Sequence, residues 1–386
     1  HHTACVGRYC QHREVSWHRA LSLARLLDGR RQACRTAARC TFGGMTVGEC
    51  IDMDMRSLPK VELHRHLEGA IRPATILDLF RKNRRECLDT PLCEILPRVQ
   101  ITGSERSLAD FLAKFEFFMP CIQTSSDISR ITVEAIEDCA NDGIAYVELR
   151  FSPAFVRRLT GLSYSEAVEA VLEGARGAGS AIHVNFILIV PQPEGERVAW
   201  DTVRLAADYL SDGVTGVDIA DDTRVLGLEE YARPMAWARA NGLGVTVHAG
   251  EAEGPSSVRV AVEQLGATRI GHGVRCIEDD RVAEMLMDRG TLLEVCPTSN
   301  VHTQAAPSIA EHPLPRLIER GVPVCLNTDD PGISNITLTG EYILAQEAFG
   351  LSRADLALMN VRAARYAFAG SEQRAALMER LGESAS

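Results

Sequence analysis

From Leu58 onward, short apolar runs rich in β-formers alternate with amphipathic stretches of helical period. Eight such runs stand out, and the first four are KVELHRHL (60–67), IAYVELRFSP (144–153), HVNFILIV (183–190) and GVTGVDIA (213–220). The other four are LGVTVHAGE (243–251), TRIGHGV (268–274), TLLEVCPTS (291–299) and VPVCLNTDDP (322–331). Helical patterns such as SYSEAVEAVLEGARG (163–177) and DDRVAEMLMDRG (279–290) lie between most of them. Strand alternating with helix predicts an α/β fold with a parallel sheet. Eight such units in sequence predict a closed (β/α)8 TIM barrel. The gap between the first two runs is too long for a simple crossover. Residues 73–140 carry helical patterns, including SLADFLAKFEFFMPCI, and predict a helical insertion after strand 1. An insertion there sits on the catalytic face of a barrel and can roof the pocket. The chain has no internal repeat and no low-complexity tract.

Residues 1–55 differ from the rest. They hold eight arginines, no lysine and five of the twelve cysteines. A short amphipathic helix from Trp17 to Leu27 fits an arginine-rich transit leader. The plainer expectation is a poorly ordered or non-native extension, with Met45, Met53 and Met55 all plausible starts. Residues 56–386 are read as one barrel domain.

Composition narrows the class. With 386 residues, 46% of them hydrophobic, the chain can bury a large core. A net charge of −11 leaves no basic face for nucleic acid beyond the N-terminal segment. No apolar run reaches the roughly 18 residues of a membrane span. No cysteines pair as Cys-x-x-Cys, and several lie inside apolar strands, as Cys296 and Cys325 do. They read as reduced thiols in a cytoplasmic protein.

The candidate chemistry lies at the C-terminal ends of the runs, where barrel enzymes keep their active sites. Strand 1 ends in His64-Arg65-His66, and residues two apart on a strand share a face, so both imidazoles can enter the barrel mouth. Strand 5 brings His248 and, three residues on, the carboxylate of Glu251. Strand 6 ends in Gly-His272-Gly, and strand 8 in Thr328-Asp329-Asp330-Pro331. A lone His-x-His, or an Asp-Pro turn, is more often structural. Four separate strand ends, each placing His or Asp at the mouth, are not. Histidines with an aspartate form a zinc set. The chain's three lysines, Lys60, Lys82 and Lys114, all lie away from the fourth strand, which argues against a lysine-bridged binuclear site and for one metal.

The segments VELHRHLEGAIRP, VTVHAGE, RIGHGVR, LEVCPTSNVHT and LNTDDPGIS resemble, in order and spacing, the signature segments of adenosine deaminases. The resemblance runs from about Leu58 to Ala369. It implies one Zn2+ held by His64, His66, His248 and Asp329. It implies Glu251 as proton donor, His272 as the residue orienting the attacking water, and Asp330 as a partner of substrate and water. Zinc lowers the pKa of a bound water from 15.7 to about 7, which supplies a nucleophile for attack at C6 of an adenine-type purine. Glu251, kept protonated, can then protonate N1. The Pro-Cys-x-x-Cys ligands of cytidine-type zinc deaminases are absent.

The implied reaction is hydrolytic deamination of adenosine or deoxyadenosine to the inosine-type product and ammonia. Two positions depart from the family pattern, in the region where sugar and purine edge should bind. Glu68 stands where the family has aspartate, and Asp221 stands where it has glycine. With His66 and Asp330 they make the expected substrate-binding set. The departures keep open a sister deaminase for another adenine compound, such as a 6-aminodeoxyfutalosine-type nucleoside or, ranked below it, free adenine. A catalytically inactive binding relative is the reading from another class. Oligomeric state is not written in the sequence.

Overall fold

In the computed structural model the described residues are 55–382, apart from 85–86, 88, 104, 106, 180–181 and 222–224, together with two paired two-residue strands at 41–42 and 45–46. The expected leader, 1–55, thus falls almost wholly outside the described residues.

Eight parallel strands follow one another in sheet order: β1 (Lys60–His66), β2 (Ile144–Phe151), β3 (His183–Pro191), β4 (Val214–Ala220), β5 (Gly244–Ala249), β6 (Arg269–His272), β7 (Leu292–Val295) and β8 (Val324–Leu326). β1 and β8 meet at their C-terminal ends, where Arg65 and Asp329 form a parallel bridge. Its hydrogen bonds run from His66 N–H to the Asp329 carbonyl (2.9 Å) and from Asp329 N–H to the His64 carbonyl (3.0 Å). The barrel therefore closes at residues singled out for chemistry.

The TIM-barrel expectation holds, and the eight runs coincide with the eight strands. The last four strands are shorter than their runs. In TLLEVCPTS only Leu292–Val295 is strand, and Pro297–His302 turns at once into a helix. The polar tails of these runs are loop and site, not ladder.

The insertion after β1 is helical, as expected. It comprises α1 (Pro73–Leu79), α2 (Leu92–Val99) and α3 (Leu108–Phe118), before the crossover helix α4 (Ser125–Asn141) returns the chain to β2. Thr124 and Asp127 form a reciprocal capping box at the start of α4, which satisfies N–H groups the helix cannot pair internally. A short helix α5 (Pro153–Thr160) follows β2 directly. Every strand of β1, β2 and β6 to β8 is buried nearly throughout, as a parallel sheet wrapped by helices requires. All seven cysteines among the described residues are free. No described helix is long and apolar enough to cross a membrane.

Candidate metal and active site

His64 and His66 leave the end of β1, His248 the end of β5, and Asp329 the turn after β8. One ligand atom from each lies within 4.8 Å of all the others. His66 Nε2 is 3.3 Å from His248 Nε2. Asp329 Oδ1 is 3.1 Å from His64 Nε2 and 3.2 Å from His66 Nε2. Bonds of about 2.0–2.1 Å to a tetrahedral zinc set donors roughly 3.3 Å apart, so the residues fit such an ion.

The rings are turned to present lone pairs. His64 Nδ1 lies 2.9 Å from Glu294 Oε2, and His248 Nδ1 lies 3.0 Å from Asp218 Oδ2. An Nδ1–H held by a carboxylate leaves Nε2 bare and pointing inward. Burial holds His248 down to about 3, against the pull of Asp218, so this ring is neutral and free to ligate. Gly271 makes the crowding possible, because a Cβ there would come within 2.9 Å of His64 Cε1. Asp329 (φ 65°) and His272 (φ 60°) hold left-handed backbone that residues with a Cβ rarely adopt. Strain of this kind gathers at functional sites.

Beneath these four side chains lies a charged cluster with no exposure. Arg150 Nη1 is 2.7 Å from Asp218, and its Nη2 is 2.8 Å from Glu294. Arg269 pairs with Glu294 at 2.7 Å and with Glu148 at 2.5 Å. All five side chains are fully buried. Burial alone would raise Asp218, yet His248 and Arg150 pull it well below the ordinary carboxylate range. Sequence reasoning passed over this cluster. Its signal was available, since charges inside strand-like apolar runs are almost never buried unpaired.

The proton-handling groups stand on the open side. Burial, together with the charge of Asp329, pushes the Glu251 carboxyl up to about 7. His272 Nε2 lies 3.6 Å from Glu251 Oε2. Burial and the adjacent Asp329 charge push Asp330 well above the carboxylate range, and its Oδ1 is buried without a hydrogen-bond partner. Gly69 must be glycine, because a Cβ there would fall 1.7 Å from that oxygen. Ser299 Oγ donates to Asp329 Oδ2 at 2.6 Å.

One pocket is lined by His66, Glu68, Asp221, His248, Glu251, His272, Asp329 and Asp330. His64 is fully buried behind them. The structure thus brings together every residue named from the sequence. Phe111, Leu112 and Phe115 of α3 and Phe155 of α5 complete the wall, so the insertion does enclose the site. Glu68 is buried, and its Oε1 accepts the Ser152 N–H at 3.0 Å. Asp221 is exposed and holds φ 85°, keeping a glycine-like backbone despite its side chain. A metal held among the imidazoles would activate a water, and with a carboxyl near neutrality at the edge of a partly apolar pocket that set can hydrolyse an exocyclic C–N bond of a planar heterocycle.

Residues 59–384 match the adenosine deaminase family. Adenosine deaminase of Klebsiella pneumoniae subsp. pneumoniae is 36% identical over 329 residues, covering 85% of this chain and 98% of the relative. That of Erwinia tasmaniensis is 37% identical over 330 residues, with 84% and 98% covered. Among solved structures, the Arabidopsis N6-mAMP deaminase aligns with a TM-score of 0.78 at 29% identity, covering 86% of this chain and 99% of that one. The adenine deaminase of Arthrobacter aurescens gives 0.77 at 25%, with 84% and 98% covered. A Burkholderia ambifaria amidohydrolase with bound Zn gives 0.78 at 25%, with 90% and 94% covered. The chain belongs to the adenosine deaminase family, hydrolytic deaminases that act on amidine C–N bonds.

Proposed function

We propose that the protein deaminates adenosine and deoxyadenosine, with one zinc ion per chain held by His64, His66, His248 and Asp329. The observation that carries this reading is the convergence of those four donors beside Glu251, a carboxyl raised to about 7. Zinc bound there would lower the pKa of a water to about 7 and so supply the nucleophile. Glu251, in its acid form, gives its proton to purine N1, which makes C6 electrophilic. The carboxylate that remains takes the hydroxyl proton of the tetrahedral C6 adduct and passes it to the amino group, which leaves as ammonia. His272 holds the attacking water, and Asp330, raised into its acid form, has an O–H to donate to a purine ring nitrogen. His66, Glu68, Asp221 and Asp330 line the substrate end, with a small-molecule purine as the partner.

Glu68 and Asp221 favour one second reading, a sister deaminase whose adenine carries a different substituent. Purified zinc-loaded enzyme, assayed by loss of adenine absorbance, separates the two. The panel is adenosine, deoxyadenosine, N6-methyl-AMP, a 6-aminodeoxyfutalosine-type nucleoside and free adenine. The highest kcat/KM is expected on adenosine or deoxyadenosine. A high value on a nucleoside with an altered 5′ group, and little on adenosine, would overturn the first reading.

A further inference from the structure

Behind His272 runs a chain of hydrogen bonds whose direction is set by the backbone. The Leu314 N–H donates to His312 Nδ1 at 3.1 Å. That nitrogen is therefore an acceptor, and a neutral imidazole has one proton, which must sit on Nε2. His312 is only 4% exposed and packs against Phe349, and burial alone holds it down to about 4, so the ring is neutral. Its Nε2 lies 3.2 Å from Asn300 Oδ1, which accepts the proton. Asn300 is fully buried, and turning its amide over would set its NH2 against the Nε2–H, donor against donor. The amide NH2 is left facing His272 Nδ1 at 3.0 Å. His272 Nδ1 must then accept. The proton of this ring sits on Nε2, the atom that faces Glu251 and Asp329.

We propose that Asn300 and His312 are positioning residues that hold His272 with its proton on Nε2, so that His272 donates a hydrogen bond to the attacking oxygen and does not act as its general base. The inference rests on the placement of His272 at the attacking water argued above. It leaves the proton transfers to Glu251, which donates to N1, carries the hydroxyl proton of the adduct to the amine and, once ammonia has left, regains its acid form by taking the proton that the next water gives up. A ring that already carries a proton on its inward nitrogen cannot accept another there.

The test reads the ring directly. Zinc-loaded enzyme labelled with 15N-histidine gives eleven side-chain patterns, and the one lost in His272→Asn is assigned to His272. A protonated Nε2 and a bare Nδ1 are expected. A bare Nε2, or rapid exchange between both forms, overturns the proposal, and neither result depends on which substrate the enzyme takes. Asn300→Asp supplies the second arm, because a carboxylate accepts from His272 Nδ1–H and reverses the tautomer. Where the spectrum of that variant shows Nε2 bare, kcat is expected to fall by up to the order of 10⁴-fold, the scale of a wrong tautomer, with KM and zinc content little changed. Full kcat with a bare Nε2 overturns the role. Should that variant fail to fold, the wild-type spectrum alone decides the tautomer.

Discussion

Arg150 Nη2 lies 2.8 Å from Glu294 Oε2, the same oxygen that accepts from His64 Nδ1 at 2.9 Å. The other arm of Arg150 holds Asp218, which orients His248. One guanidinium thus neutralises both carboxylates that aim the ligand rings. Arg150→Met leaves Asp218 without its guanidinium partner and Glu294 with Arg269 in place of two guanidinium groups. Breaking a buried pair this way costs about 3–5 kcal/mol. Zinc affinity is expected to weaken about 10–100-fold, as for other losses of ligand support. Thermal unfolding and chelator competition measure the two effects. Unchanged values in both would show that the cluster only fills space.

Glu251→Gln keeps the size of the side chain and removes its proton. A loss of roughly 10²–10⁴-fold in kcat is expected, the range of a general acid–base group. Zinc content, measured by atomic absorption, should stay at the wild-type level. Undiminished turnover would remove Glu251 from the mechanism.

The barrel and the four residues proposed to hold the metal were legible in the sequence because four of the strand ends carry a visible signal. His64, His66, His248 and Asp329 stand where apolar alternation stops, and that is where barrel chemistry occurs. The supports were harder to see. Glu294, Arg150 and Asp218 come from three strands far apart in the chain, and only closure of the barrel brings them into contact. His312 lies between the seventh and eighth runs, where no element was assigned from the sequence, and its bond to Asn300 depends on how that segment folds back on the helix Pro297–His302. Asp221 was visible as a departure, but its φ of 85° was not, since only the fold forces a side-chain residue into a glycine's conformation.

Glu68 offers a test of whether sugar recognition can be separated from the chemistry. Its Oε1 accepts the Ser152 N–H, and the side chain lines the pocket. Glu68→Ala removes one buried acceptor, a loss of about 1–3 kcal/mol. If Glu68 serves the sugar, kcat/KM on adenosine should fall by roughly tenfold or more relative to free adenine. Equal falls on both substrates would mean that Glu68 supports the pocket wall and not the sugar. Steady-state kinetics on the two compounds give the answer.

Glu341 links stability to pH from outside the pocket. It is 1% exposed, and its carboxyl accepts from the N–H and hydroxyl of Thr298, at the start of the helix that carries Ser299 and Asn300. Burial pushes it up to about 7, and the bonds from Thr298 only partly oppose that shift. The native state therefore binds more proton than the unfolded chain between about pH 4.5 and 7. The stability this group contributes is full below that window and is lost as pH rises through it. Across the window the change is worth roughly 3 kcal/mol. Glu341→Gln cannot ionise, so the term disappears. The Tm of the variant, measured relative to wild type, should rise between about pH 5 and pH 8. A Tm difference that stays flat, or moves the other way, would show that the carboxyl is already ionised throughout. The Thr298 bonds would then outweigh its burial.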